Sequence, residues 1–326
     1  MDVARLYGAG RMKLSDEPVP VPGDGESLVR VGAVGICGSD LHWFADAGIG
    51  DAVLTRPLVL GHEMAGVVVA GPLAGQRVAV DPAVPCFACQ PCRAGNPNLC
   101  ERIVFAGHGS TDGGMREYLA WPSGRLHPLP AGLDDVAGAL LEPLGVAVHA
   151  MDLAHVRLGS TVAVVGCGPI GLITVQLALR AGATQVLAVE PLAHRRDAAA
   201  ALGAVAVPPG DAAIKDAYAD VAIEFAGTDA ALAVAIEAVR PGARVVLGGI
   251  PDADRWTFAA APARRKGLSL VLARRMKEVY DRTIALAATG AVDLSGLVSD
   301  RRPLREAAGA IAYAAGRTGL KTVLVP

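Results

Sequence analysis

Four cysteines within one short segment, Cys86-Phe-Ala-Cys89-Gln-Pro-Cys92-Arg-Ala-Gly-Asn-Pro-Asn-Leu-Cys100, constrain this chain more than anything else in it. Two residues separate the first three cysteines and seven precede the last. Short turns can then aim four thiolates at one centre, which suits a closed tetrahedral Zn²⁺ site with no open position for a substrate. An iron–sulfur centre is the alternative, although the seven-residue gap departs from the usual ferredoxin run. The lobe 86–100 is therefore expected to be structural, with the chemistry elsewhere.

A chain of 326 residues, 52% hydrophobic and 19% charged, exceeds one ordinary core and can bury two. Its formal net charge of -2, with the pairs Arg195-Arg196, Arg264-Arg265, Arg274-Arg275 and Arg301-Arg302 far apart, argues against a nucleic-acid partner. A zinc ribbon that binds nucleic acid would want basic and aromatic residues around the cysteines, and the lobe holds only Arg93 and Phe87. The N-terminus has an early acid and no apolar segment of signal-peptide length, so a cytoplasmic, reducing location is expected, where clustered cysteines bind metal rather than pair. The apolar stretch Thr161 to Leu179 is broken by Gly166, Gly168, Pro169, Gly171 and Gln176, which fits a buried strand, turn and helix better than a membrane span.

The first third is turn-rich, with short apolar runs at Ser27 to Val34, Ala65 to Ala70 and Arg77 to Val80, as in a small barrel. From about Leu158 the texture changes. Apolar strands are expected at Val162 to Val165, Gln185 to Val189, Ala204 to Val207, Val221 to Phe225, Arg244 to Leu247 and Leu268 to Leu272, with Ala-rich helices between most of them. That alternation predicts a doubly wound parallel sheet. The tail after Met276, with helices at Val279 to Ala288 and Leu304 to Ala315 and a strand from Lys321, lacks a core and should return to the first domain. The expected division is an α/β chain with a catalytic domain 1–145, a nucleotide domain 146–275 and a returning segment 276–326.

Gly166-Cys-Gly168-Pro169-Ile170-Gly171 follows the strand Val162 to Val165 and opens a helix. The first glycine permits the tight turn, the second lets a pyrophosphate approach the backbone, and the third lets helix and strand pack closely, while the helix N-terminus offers amide donors. Glu190 lies nineteen residues beyond Gly171 at the end of the next strand. Its carboxylate can accept from the adenosine ribose hydroxyls and would repel a 2′-phosphate, favouring NAD, whereas Arg195 and Arg196 are placed to reach such a phosphate and keep NADP open.

A second set is Gly35-Ile-Cys37-Gly-Ser39-Asp40-Leu-His42, then Gly61-His62-Glu63, then Leu141-Glu142-Pro143. A thiolate, an imidazole and two carboxylates can hold Zn²⁺ with a position left for water or substrate. Singly, Cys37 reads as a small buried residue and His62 as a hydrogen-bonded turn histidine. Their order and neighbours change that. The remaining His108, His127, His149, His155 and His194 are read as surface or packing residues, and Cys167 as a small filler.

These motifs, in this order over essentially the whole chain, resemble the zinc-dependent medium-chain dehydrogenase/reductase family. The resemblance implies a GroES-like barrel domain, a Rossmann domain, two zinc ions per chain, NAD and a homodimer or homotetramer. It implies that Cys37 and His62 ligate catalytic zinc, that Glu63 is a ligand or exchanges with water, and that Asp40 orients His62. Ser39 stands where a hydroxyl meets the substrate alcohol, and His42 where the proton passes to solvent. Glu142 stands where simple alcohol dehydrogenases have a cysteine, which is similar to the sorbitol, L-idonate and threonine branch, where that glutamate binds the metal or holds its water. A carboxylate there makes a harder, oxygen-rich site suited to a water ligand or a vicinal diol. Trp43 and Met276 depart from the tyrosines of that branch, and both positions should border the pocket.

The expected activity is zinc-dependent hydride transfer between NAD and a secondary alcohol: a polyol, sugar acid or amino alcohol. A dehydrogenase of an aminocyclitol-type intermediate is the alternative. A non-catalytic nucleotide-binding relative would have lost some of Cys37, Ser39, His42, His62 and Glu142, and all five stand.

Overall fold

The computed structural model describes residues 1–251 and 254–326. Packing divides them into two compact units, Met1–Pro143 with Lys277–Pro326, and Leu144–Met276.

The first unit is built on strand Glu26–Gly35, whose Ser27, Val29, Val31 and Ala33 are buried in alternation, as a pleated strand with one packed face requires. It lies within a mixed seven-stranded sheet in the order Leu126–Pro128, Arg77–Val80, Glu63–Ala70, Glu26–Gly35, Lys321–Val325, Val298–Pro303, with Tyr118–Pro122 also paired to it. The tail returns here: Lys321–Val325 runs antiparallel to Glu26–Gly35, and helix Ala307–Ala315 adds Ala310 and Ile311 to the core around Trp43, Leu58, Met64 and Met115. Register places the site, because Gly35 pairs with Glu63 on one side and Val323 on the other. A Cβ at Gly35 would fall 2.0 Å from Glu63 Oε2 and 3.1 Å from Lys321 Cε, so only glycine leaves room for those two side chains.

The second unit is a six-stranded parallel sheet in the order Val205–Val207, Gln185–Val189, Thr161–Val165, Ala219–Glu224, Val239–Leu247, Ser269–Leu272. Its central strands are near-continuous apolar runs, as strands buried on both faces must be. Helices Pro169–Arg180, Ala193–Ala201, Asp229–Ala238 and Ala260–Lys266 are spaced along the connections. Strand Ala219–Glu224 stops one residue before the expected Phe225, because the Glu224 carboxylate captures the amides of Ala226 and Gly227 and turns the chain. The expected helix Leu304 to Ala315 begins as a short 3₁₀ turn, Leu304–Glu306, before the α-helix Ala307–Ala315. No helix among the described residues is long and apolar enough to cross a membrane.

Candidate active site and metal centres

In the cysteine lobe all four Sγ atoms lie within 4.8 Å of one another, and none of the cysteines is in a disulfide. Cys89 Sγ and Cys100 Sγ are 3.8 Å apart. Zn–S bonds of about 2.3 Å give a tetrahedron with edges of about 3.8 Å, so the lobe has the dimensions of a Cys₄ zinc site. Amide donors converge on the sulfurs: Cys86 N reaches Cys100 Sγ at 3.2 Å, Cys89 N reaches Cys86 Sγ at 3.4 Å, and Arg102 N reaches Cys100 Sγ at 3.4 Å. The amides of Ala88 and Cys89, with Cys100 and the Arg102 guanidinium, draw the Cys86 thiol down to about 5, while burial pushes Cys92 up to about 12. Four clustered thiols cannot all ionise unaided, and a divalent cation bound there would supply the missing charge. Arg125 stacks on Phe87 at 5.0 Å and bonds Asp81 at 2.9 Å, fastening the lobe to the barrel core.

The second centre is assembled by two turns. Cys37 precedes helix Gly38–Asp46, and Asp40 in its first turn accepts from Cys37 N at 2.9 Å and from Gly61 N at 3.1 Å. One buried carboxylate thus binds both ligand-bearing loops. Asp40 Oδ1 lies 3.7 Å from His62 Nδ1, an ion-pair separation rather than a hydrogen bond. Donor atoms of Cys37, His62 and Glu63 lie within 4.8 Å of one another, with His62 and Glu63 buried. A thiolate, an imidazole and a carboxylate at that spacing fit zinc in an open, catalytic style of site. Burial disfavours a charged His62, yet Asp40, Cys37 and Glu142 outweigh it and hold the imidazole up at about 10.

Glu142 sits in the first turn of helix Leu141–Ala154 and is 5% exposed. Burial raises its carboxyl to about 7, with His62 pulling the other way. It acts on His62 through the field, and its oxygens are not among the three donors gathered within 4.8 Å. Ser39 Oγ is 3.4 Å from His62 Nε2, and His42 Nδ1 is 3.9 Å from Asp46 Oδ2 one turn along the same helix.

Sequence reasoning missed Lys321. It is buried beside the centre, ion-paired with Glu63, and its Nζ donates to Ile36 O at 2.9 Å. The signal was a lone cation in the apolar strand Lys321–Val325, but its partner is distant in sequence. His108, read as a surface or packing residue, does pack: its ring meets the buried Trp43 edge-on at 5.3 Å and Phe105 at 6.4 Å, and Phe105 lies 5.5 Å from His62, so aromatic contacts link the metal set to the core. His127 stacks on Tyr280 at 4.2 Å, a packing role.

In the second unit, Gly166 has φ of 90°, Gly168 caps helix Pro169–Arg180, and a Cβ at Gly171 would fall 2.0 Å from Gly166 O. Two of the three glycines therefore have a steric reason. At Gly168 a Cβ would meet only Arg195 Nη1, at 3.7 Å, which leaves open the space a pyrophosphate would take. Ile170 O accepts from Thr174 Oγ1 within the helix. Glu190 accepts from Cys167 N at 2.8 Å and Leu192 N at 3.1 Å, tying the glycine turn to the next strand end. Arg196 bonds the carbonyls of Glu190 and Pro191. Cys167 is fully buried with its thiol pushed up to about 12 by burial, which leaves it inert.

The alcohol dehydrogenase GroES-like domain matches residues 23–131 and the zinc-binding dehydrogenase domain matches residues 169–289. D-xylulose reductase A of Aspergillus niger is 33% identical over 98% of this chain and 95% of its own length. L-idonate 5-dehydrogenase of Escherichia coli superposes with a TM-score of 0.94 at 28% identity, covering 100% of this chain and 98% of that one. A structure from Sinorhizobium meliloti, titled a putative zinc-binding dehydrogenase bound to NADP, superposes with a TM-score of 0.91 at 33% identity over 100% and 99%.

Proposed function

Because the chain belongs to the zinc-dependent medium-chain dehydrogenase family, we propose that it interconverts a vicinal-diol secondary alcohol, of the polyol or sugar-acid kind, and the matching ketone with NAD. The observation that carries this reading is the donor set: one thiolate, one imidazole and carboxylate oxygen at Glu63, with Glu142 acting on the same imidazole. Oxygen-rich sets suit hydroxyl ligands better than thiolate-rich ones. The relatives' polyol and sugar-acid names support it and favour it over the aminocyclitol alternative.

Cys37, His62 and Glu63 are the residues that hold the catalytic metal, and Glu142 adds a further carboxyl to the site. Zinc held there supplies Lewis-acid polarisation of the carbinol oxygen, and NAD takes the hydride. Ser39 Oγ, 3.4 Å from His62 Nε2, accepts the hydroxyl proton as it releases its own towards solvent. His42, with its side chain 23% exposed and its Nδ1 3.9 Å from Asp46 Oδ2, passes a proton to water. Gly166, Gly168, Pro169, Ile170 and Gly171 seat the pyrophosphate, with Arg195 beside it. Glu190, whose carboxylate oxygens also accept from Cys167 N and Leu192 N, is the residue assigned to the adenosine ribose, which favours NAD over NADP. Cys86, Cys89, Cys92 and Cys100 hold a second zinc. The proposed division into a catalytic domain 1–145, a nucleotide domain 146–275 and a returning segment 276–326 stands within two residues of the compact units, and the enzyme is proposed to be a cytoplasmic homo-oligomer.

A substrate panel tests this: xylitol, sorbitol, L-idonate, threonine and 2-butanol with NAD and NADP. The expected result is turnover of a polyol or sugar acid, with NAD preferred. Turnover of 2-butanol alone, or of none, overturns the proposal.

A further inference from the structure

Glu224 ends strand Ala219–Glu224 with no exposure at all. Its Oε1 accepts from Ala226 N at 2.5 Å and Gly227 N at 2.6 Å, and its main-chain oxygen accepts from Gly248 N at 2.8 Å and Gly249 N at 3.1 Å. One residue therefore holds two loops, 225–228 after its own strand and 248–251 after strand Val239–Leu247. The loops interlock: a Cβ at Gly227 would fall 2.3 Å from Ile250 O, and one at Gly249 2.2 Å from Gly227 N. The first loop also backs the glycine fingerprint, because a Cβ at Gly166 would lie 2.9 Å from Ala226 N.

Topology says what this clamp is for. From strand Thr161–Val165 the chain moves outward through Gln185–Val189 to Val205–Val207, then crosses back and begins Ala219–Glu224 on the other side. The order reverses between Thr161–Val165 and Ala219–Glu224, and open parallel sheets bind ligands outside the carboxyl ends of the strands at that reversal. Glu190, at the end of strand Gln185–Val189, marks the adenosine side, so the loops after Ala219–Glu224 and Val239–Leu247 face the other half of the dinucleotide. A buried carboxylate is costly in a core, and burial pushes this one up against the pull of its amide donors. An apolar side chain would fill the same space at lower cost, so packing alone does not account for it.

We propose that Glu224 is a positioning residue for the cofactor, fixing loops 225–228 and 248–251 so that their backbone meets the nicotinamide half of the dinucleotide. This rests on the NAD reading of the site. The test is equilibrium titration of zinc-loaded enzyme with NADH by fluorescence and with AMP by calorimetry, on wild type, Glu224→Ala and Glu224→Gln. Glu224→Ala should weaken NADH by about tenfold or more, the scale of losing charge-assisted hydrogen bonds, while AMP stays within about twofold. Glu224→Gln, whose carbonyl oxygen can accept both amides, should restore NADH affinity to within about threefold. Should Glu224→Ala fail to fold, Glu224→Asp, one methylene too short for the clamp, is expected to give the same selective loss. Equal losses for NADH and AMP, or no loss of NADH, overturn the proposal. Wild type that binds neither overturns the NAD reading and the proposal together.

Discussion

Lys321 and Glu63, 258 residues apart in sequence, form an ion pair in which the side chains are 3% and 1% exposed. Lys321 Nζ also donates to Ile36 O, next to Cys37, so the closing strand props both Glu63 and the loop that carries the thiolate. Desolvation pulls the lysine pKa down, and Glu63, Cys37 and Glu142 more than offset it, so the pKa lies above the ordinary lysine value.

Removing one partner of a buried pair leaves the other charge uncompensated, which costs ~3–5 kcal/mol. Lys321→Met should show a loss of that size in urea unfolding, with most of it recovered in the double variant Lys321→Met/Glu63→Gln. Additive losses in the double-mutant cycle would mean that the pair is not coupled.

The two metal centres should separate by phenotype. Cys37→Ala is expected to abolish turnover in a protein that still folds and keeps the lobe metal. Cys100→Ala should lower thermal stability or assembly first, since structural zinc contributes directly to folding free energy. Metal analysis of wild type should find near two zinc per chain, and each variant near one.

Enzyme depleted of the Cys37-site metal should lose stability as pH rises. Glu142 goes from an ordinary 4.5 to about 7 in the fold, so its contribution is fully present below 4.5 and is lost as pH passes 7. His62 goes from 6.5 to about 10, so its contribution is fully present below 6.5 and is lost towards 10. Denaturant midpoints should therefore fall from about pH 5 to about pH 9, and Glu142→Gln should erase the lower part of that fall and reduce, without abolishing, the part above 6.5. A midpoint that rises with pH over this window would contradict both assignments.

The aromatic contacts from Phe105 through His108 to Trp43 should select substrate. His108→Phe keeps an aromatic ring in the edge-on contacts and removes the polar nitrogens. It is expected to cut kcat/KM for xylitol by about ten- to a hundredfold while 2-butanol stays within about threefold, because a lost hydrogen bond to a hydroxyl penalises only the substrate that carries one. Parallel changes on the two alcohols would assign His108 to packing alone.

Gly171→Ala tests the fingerprint. Its new Cβ would sit 2.0 Å from Gly166 O, prising helix Pro169–Arg180 from its strand. NADH affinity should fall well over tenfold, since rigid backbone cannot yield as a side chain can.

Local chemistry made much of this protein legible from sequence. Ligand spacing within the lobe, the glycine turn after an apolar strand and the strand–helix alternation are short-range patterns whose physical meaning is complete within about thirty residues. Cys37, His62 and Glu63 could be expected at a zinc site because their motifs, in that order, resemble those of a zinc dehydrogenase family, although singly Cys37 reads as packing and His62 as turn chemistry. What tertiary structure alone decided are pairings across long stretches of chain. Gly35 meets Glu63 and Val323 by sheet register, Lys321 reaches Glu63 through the returning strand, and His108 reaches Trp43 across a loop. Glu142 acts on His62 because both are desolvated in one interior. Burial and register are properties of the folded chain, since a lysine in an apolar strand or a histidine in a glycine-rich loop acquires its partner only when distant segments are brought together and water is removed from between them.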